Sequence, residues 1–285
     1  AKFNTVIGFY EYNKAKNIIS SDKFASKGKV LYWNQAESFG WDFIDLHHQE
    51  FEDAFGLFKD QQSKDIFIAY MKSRLTGYPD ELIEFCSKPQ YFCDFVHLTD
   101  KEVLVDCGAY DGDTLIKFNE ITHSEYEKIY AFEPDPENYL KLKEMAEQLH
   151  DVTLINKGLW KESTILYFNS QGDASKISED GDLTVNVISI DEVVGANKVT
   201  MIKMDIEGSE LCALHGAQNT IRRWLPKLAI CMYHRKEDMI TIPQYIQSIL
   251  GKDQKYNFYL RHHSYSYCET VLYAIPDTHS IGLDC

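Results

Sequence analysis

From about residue 101 onward, short apolar runs alternate with longer stretches whose apolar positions fall three and four apart. Val103-Leu104-Val105-Asp106 reads as a buried strand ending in a carboxylate, and Ile129-Tyr130-Ala131-Phe132-Glu133 as a second strand with the same ending. Residues 152–156, 199–205 and 228–233 give three more. Between them, 114–119, 136–149, 210–225 and 239–250 read as helices, the second opened by Pro136 and the third stopped by Pro226. Strands alternating with helices in this way predict a parallel sheet covered by helices. Two further extended segments, 164–169 and 184–190, flank a Gly- and Asp-rich loop at 171–182. The pattern changes at the end, where 256–260 and 270–275 read as an antiparallel pair. The expected fold class is therefore α/β, a mostly parallel sheet finished by an antiparallel C-terminal hairpin.

Residues 1–98 follow no such alternation. They are rich in aromatics, among them Tyr10, Tyr12, Tyr32, Trp33, Phe39, Trp41, Phe55 and Phe58, and carry one amphipathic helix at 62–75, closed by Gly77 and Pro79. This divides the chain into a small N-terminal accessory region, 1–98, serving substrate or assembly, and a main domain, 99–285. Core packing is the expected work of most of those aromatics.

Composition narrows the partners. Forty-four acidic against 29 basic side chains give a formal charge of −15, a field that repels phosphate backbones and anionic membrane surfaces. The seven cysteines show no metal-like pairing, and the odd count points to reduced thiols. Ala1-Lys2-Phe3-Asn4 lacks the apolar core of a signal peptide, and no apolar run approaches membrane-spanning length. The expectation is a cytoplasmic protein, without membrane insertion and without nucleic acid, that acts on a small molecule and forms at most a homo-oligomer.

The candidate chemistry starts with Asp106-x-Gly108-x-x-x-Gly112, which follows a strand and precedes a helix. Glycines in such a turn let the backbone approach a ligand and aim N–H groups at it. A dinucleotide fingerprint, Gly-x-Gly-x-x-Gly, and a phosphate-cradling Gly-Lys-Ser/Thr are both absent. Glu133, at the end of the next strand, is placed to accept both ribose hydroxyls of an adenosine. Asp106 reads as an anchor of the loop or of a ligand amino group, with helix capping as its plainer role. Asp113 fits a helix-start carboxylate.

The fourth strand runs into Lys203-Met204-Asp205-Ile206-Glu207-Gly208-Ser209-Glu210, and the fifth into Tyr233-His234-Arg235. Ligands in open parallel sheets bind beyond the carboxyl ends of strands, so Asp205, Glu207 and His234 are candidates for one rim. Glu207 and Glu210 are also ordinary first-turn carboxylates, and a lone histidine at a strand end is often only structural.

With these residues in place, the run 103–274 resembles the FkbM family of S-adenosylmethionine-dependent methyltransferases. The resemblance rests on Val105-Asp106-Cys107-Gly108-Ala109-Tyr110-Asp111-Gly112-Asp113-Thr114, Ala131-Phe132-Glu133-Pro134 and Ser189-Ile190-Asp191-Glu192. It continues through the Lys203-to-Glu210 run, then Pro226-Lys227-Leu228-Ala229-Ile230, Tyr233-His234 and Glu269-Thr270-Val271-Leu272-Tyr273-Ala274. It implies a Rossmann-like class I methyltransferase fold with a seven-stranded sheet, and transfer of a methyl group to an oxygen.

It implies S-adenosyl-L-methionine held by Asp106, Gly108, Ala109, Tyr110, Gly112 and Asp113, by Glu133 and Pro134, and by Asp205. Asn156, Lys157, Gly158 and Ser175 would approach its adenine. The acceptor is expected to be a hydroxyl of a sugar or nucleotide-linked sugar, in surface polysaccharide biosynthesis, or of another small natural product. His234, Asp205 and Glu207 are the candidate catalytic bases, in that order. A divalent metal held by the same three is the rival reading, unsupported by the sequence and separable from a base by chelation. A nicotinamide-dependent oxidoreductase would want a third glycine, and a non-catalytic binding module would have no use for all of Asp106, Gly108, Gly112, Glu133 and Asp205.

Overall fold

The computed structural model describes residues 5–7, 30–32, 40–168 and 183–277. By packing, the chain divides into two compact units. One comprises Ala1–Gln90, Cys231–Gln244 and Phe258–Leu272, and the other Tyr91–Ile230, Tyr245–Asn257 and Tyr273–Cys285.

In the first unit, β1 (Thr5–Ile7) and β2 (Val30–Tyr32) form a parallel pair. Four helices follow: α1 (Trp41–Leu46), α2 (His48–Leu57), α3 (Gln61–Thr76) and α4 (Asp80–Ile83). Helix α3 is the expected amphipathic helix, one residue longer at each end. The Asp60 carboxylate accepts the Ser63 N–H at 2.8 Å to cap its start, and left-handed Gly77 closes its end. Its buried stripe includes Ser63, Ile66, Phe67, Tyr70, Ser73 and Arg74. Phe67 gathers the rings of Phe51, Phe55 and Phe58, with centroids 6.3, 5.7 and 5.6 Å away. Of the aromatics singled out in the sequence, Phe58 is buried while Trp41 is 71% exposed. Tyr10, Tyr12, Trp33 and Phe39 lie outside the described residues.

The same unit holds two adjacent buried histidines. His262 Nδ1 lies 2.9 Å from Thr270 Oγ1, and His263 Nδ1 lies 2.8 Å from the Ser87 carbonyl. Burial pushes the pKa of each down to about 4.

The rest of the chain supplies β3 (Val103–Cys107), α5 (Asp113–Ile121), β4 (Lys128–Phe132), α6 (Pro136–Ala146) and β5 (Val152–Ile155). Then come β6 (Gly158–Leu159), β7 (Thr164–Phe168), β8 (Leu183–Ile188), α7 (Ile190–Val194) and β9 (Met201–Met204). Helices α8 (Glu210–His215) and α9 (Gln218–Trp224), strand β10 (Lys227–Cys231), helix α10 (Asp238–Ser248), β11 (Tyr256–His262) and β12 (Thr270–Pro276) complete it. Seven strands form one sheet in the order β11-β12-β10-β9-β3-β4-β5, and β10–β9, β9–β3, β3–β4 and β4–β5 pair in parallel. The mixed α/β fold with its mostly parallel seven-stranded sheet is the one expected. Every residue of β3 and β9 is buried, which is why these strands read as unbroken apolar runs rather than alternating ones. The chain enters the sheet at β3, builds outward through β4 and β5, then returns to β9 on the other side. The strand order therefore reverses between β3 and β9, where open α/β sheets bind ligands.

Several boundaries differ from the sequence reading. The stretch 210–225 is two helices, broken at Gly216. A Cβ there would stand 2.2 Å from the Trp160 carbonyl oxygen, so the backbone passes too close for a side chain. The Asp191 carboxylate also accepts the N–H groups of Asn219 and Thr220, at 2.9 and 2.8 Å, and so caps a new helix. Strand β8 stops at Ile188 because the Ser189 hydroxyl accepts from Glu192 N–H to start α7. Strand β10 ends at Cys231, two residues before the expected Tyr233, and α6 ends at Ala146 rather than Leu149. The extended segments around 171–182 form a separate three-stranded sheet, β6-β8-β7. Among the described residues, no helix is long and apolar enough to cross a membrane.

Candidate active site

The glycine turn after β3 is held from two directions. The N–H groups of Gly108 and Ala109 both donate to the Phe132 carbonyl, at 3.1 and 2.9 Å, which folds the turn over the end of β4. Gly108 has a φ of +81°, and a Cβ on it would lie 2.0 Å from the Asp205 carbonyl oxygen, a separation no side chain can have. Tyr110, also left-handed at +50°, aims its N–H at Glu133 Oε2, 2.9 Å away. Gly112 takes the N-cap position of α5, and a Cβ there would meet Met145 Cε at 1.9 Å. Helix capping thus falls to Gly112 and not to Asp106. Asp113 is exposed in the first turn of α5 and accepts from Thr114 N–H at 2.7 Å, a helix-start carboxylate as its position suggested.

Glu133 follows β4 and is only 6% exposed. Its Oε2 accepts from Tyr110 and its Oε1 from Asp135 N–H, at 2.9 Å each, so one carboxylate ties the glycine turn to the start of α6. Burial raises its pKa, offset in part by these two hydrogen bonds. Asn156 Nδ2 donates to the carbonyls of Glu133 (2.8 Å) and Pro134 (3.2 Å), bracing the bend that presents the carboxylate. Lys157 is exposed, and Gly158 begins β6 with Pro134 Cβ as a neighbour of its open side. Ser175 lies outside the described residues.

On β9, the strand paired with β3, Lys203 stands in register with Asp106 and is 3% exposed. Its ammonium pairs with Asp106 Oδ1 at 3.0 Å and donates to the Gly108 carbonyl at 2.8 Å. Asp106 is fully buried. Burial raises its pKa, and the Lys203 charge opposes that rise. Its visible work is to hold Lys203, which in turn holds the glycine turn.

Asp205 stands one residue past β9, half-buried, with Oδ2 accepting from the Tyr91 hydroxyl at 3.1 Å. Glu207 is exposed and left-handed (φ +55°), followed by Gly208 at +92°, and these two residues reverse the chain into α8. Glu210 is fully buried, and its Oε1 accepts from Ile206 N–H at 2.9 Å, clamping that reversal. His234 belongs to the other unit. It is half-buried three residues beyond β10, its ring 4.2 Å from that of Tyr233. The structure thus gathers Asp106, the glycine turn, Glu133, Asn156 and Asp205 within one unit. Two contributors went unrecognised in the sequence, Lys203 and Tyr91. The first left a signal, a lysine inside the apolar run Met201-Ile202-Lys203-Met204. The second left none.

The methyltransferase FkbM domain model matches residues 106–267, more than half of the chain. The chain belongs to the FkbM methyltransferase family. The crystal structure of Methyltransferase FkbM from Methylobacillus flagellatus KT has a TM-score of 0.70 and 30% identity, over 82% of this chain and 60% of that one. The hexuronic acid methyltransferase AglP of Haloferax volcanii is 28% identical over 137 residues, 45% of this chain and 57% of the relative. The chain therefore spans somewhat less than two thirds of each of these two proteins. The FkbM segment begins at Asp106 and takes in the glycine turn, Glu133, Lys203, Asp205 and His234, but not Tyr91.

Proposed function

We propose that this chain transfers a methyl group from S-adenosylmethionine to a hydroxyl of a sugar or nucleotide-linked sugar. The observation that carries the reading is the glycine turn after β3, drawn against Glu133 and Asp205 at the point where the strand order reverses. The residues fit the cofactor. The Gly108 backbone presents a surface that no side chain could share. The Glu133 carboxylate accepts one N–H on each oxygen and still offers about two lone-pair directions to ribose hydroxyls. The carbohydrate acceptor is supported by the similarity to AglP, named for its action on a hexuronic acid, and we extend the proposal to surface polysaccharide biosynthesis.

When bound, the cofactor supplies a methyl group made electrophilic by a sulfonium. Everything else falls to the chain. Glu133 fixes the ribose, and the turn from Asp106 to Gly112 sets the depth at which the cofactor lies. The acceptor hydroxyl must lose a proton as it attacks, and a positioned base is typically worth about 10²–10⁴-fold in rate. His234 and Asp205 are the residues we assign to that task, with Glu207 third. A neutral imidazole suits it, because the reference pKa of about 6.5 lies near working pH.

The test pairs two measurements. Calorimetry should show binding of S-adenosylhomocysteine, with no binding of NAD. Transfer of labelled methyl from the cofactor should then appear on some member of a panel of uronic acids and nucleotide sugars. A folded protein that binds NAD and not S-adenosylhomocysteine would overturn the proposal.

A further inference from the structure

Tyr91 precedes the matched family segment by 15 residues (106 minus 91), yet its side chain is built into the end of β9. Its hydroxyl donates to Asp205 Oδ2 at 3.1 Å. Its backbone N–H donates to the Tyr273 hydroxyl at 2.9 Å, and the Lys203 ammonium sits 5.3 Å from its ring centroid. The residue is only 8% exposed. Its φ of +64° is a left-handed conformation that costs a bulky residue on the order of 1–3 kcal/mol and persists only where the surroundings impose it. The neighbouring residues anchor the segment. Phe92 packs on Phe118, and Phe95 on Tyr273, with centroids 6.1 and 5.3 Å apart.

An apolar ring would fill the same space and accept the same cation. What the phenol adds is one O–H group, and the structure spends it on Asp205. Lys203 binds Asp106 and the Gly108 carbonyl, and the Tyr91 hydroxyl ties the Asp205 carboxylate to the same cluster.

We propose that Tyr91 is a positioning residue, whose hydroxyl holds the Asp205 carboxylate in one rotamer so that it meets the acceptor hydroxyl in a fixed orientation. The inference rests on the methyl-transfer reading above. Without this hydrogen bond the Asp205 carboxylate loses a contact that fixes its orientation, and a displacement of about 1 Å at a reacting group can lower a rate by about 10²-fold.

Tyr91→Phe removes the O–H and leaves ring, backbone hydrogen bond and cation contact in place. Crystal structures of the wild type and Tyr91→Phe, each with S-adenosylhomocysteine, should show Asp205 in one conformer in the first and rotated or split between two in the second. Kinetically, Tyr91→Phe should lower kcat by about tenfold to a hundredfold while KM for S-adenosylmethionine stays within about twofold. In an Asp205→Asn background the same change should cost less than about twofold, because the residue acts through Asp205. An Asp205 unmoved in the Tyr91→Phe crystals, an unchanged kcat, or an equal loss in the Asp205→Asn background would each overturn the proposal. If the wild type methylates no acceptor, the methyl-transfer reading falls, and the crystal comparison still decides the role of Tyr91.

Discussion

Replacing Glu133 with alanine removes two kinds of interaction at once, and the structure allows them to be separated. The first is scaffold. The N–H groups of Tyr110 and Asp135 lose their acceptor. Hydrogen bonds to a charged group contribute roughly 1.5–3 kcal/mol each, but both N–H groups lie where water can partly replace the carboxylate, so about 2–3 kcal/mol in all is expected. For a chain of this size that corresponds to a fall of about 3–5 °C in Tm. The second is ligand. Loss of the charged acceptor for the ribose hydroxyls should weaken S-adenosylhomocysteine about ten- to a hundredfold.

Thermal melts read the first effect and calorimetry the second, and pH separates them further. Burial raises the Glu133 pKa above its ordinary 4.5. Its ionised form is thus harder to make in the fold than in the unfolded chain. Proton binding at Glu133 therefore adds stability to the cofactor-free protein, fully present below pH 4.5 and lost as pH rises through the raised value, on top of what its hydrogen bonds contribute at any pH. Cofactor affinity, which needs the carboxylate, moves the other way and falls as pH drops through that value. A folded Glu133→Ala variant with a lowered Tm and an unchanged dissociation constant would make Glu133 a clamp on the turn and remove it from the cofactor site.

Lys203→Met should destabilise the fold by about 3–5 kcal/mol in urea titrations, because it strands a buried carboxylate, and adding Asp106→Asn should restore part of that loss; equal effects in both backgrounds would mean the pair is not coupled. His262 and His263, held at a pKa of about 4 against an ordinary 6.5, stay neutral in the fold while the unfolded chain takes up protons. Stability should therefore drop as pH falls from 6.5 towards 4, by about 2 kcal/mol per histidine at pH 5. His262→Gln should flatten that slope, and an unaltered slope refutes the assignment. His234→Ala should cut turnover by about 10²–10⁴-fold with S-adenosylhomocysteine binding intact and EDTA without effect on the wild type; activity lost to EDTA and restored by magnesium or manganese would assign His234 to a metal instead.

The frame of the sheet was legible because β3, β4, β9 and β10 are buried on both faces and so read as unbroken apolar runs. The turn at Gly108 and the carboxylate at Glu133 were legible for a related reason, since each marks where such a run ends. What escaped the sequence depends on contacts across long separations. Nothing near Gly216 announces the break in 210–225, because its cause is the Trp160 carbonyl and the Asp191 cap, both brought in by folding. Asp106 looked like a cap or a ligand group because its partner, Lys203, is 97 residues away and hidden in a strand. Tyr91 sits in an irregular segment with no periodicity to single it out, and its role shows only in three dimensions.

The way the glycine turn is fastened bears on how the site opens. Amides in surface loops usually exchange their hydrogens quickly, because such loops unfold locally at little free-energy cost. Here the amides of Gly108 and Ala109 are bound to the last carbonyl of β4, while the carbonyl of Gly108 is bound to a lysine rooted in β9. Exposing them requires breaking the turn's hold on two strands of the sheet together with a buried ion pair. Their exchange should therefore follow that of β3 and β4, so that this part of the loop opens together with the sheet rather than on its own and forms a rigid floor to the site.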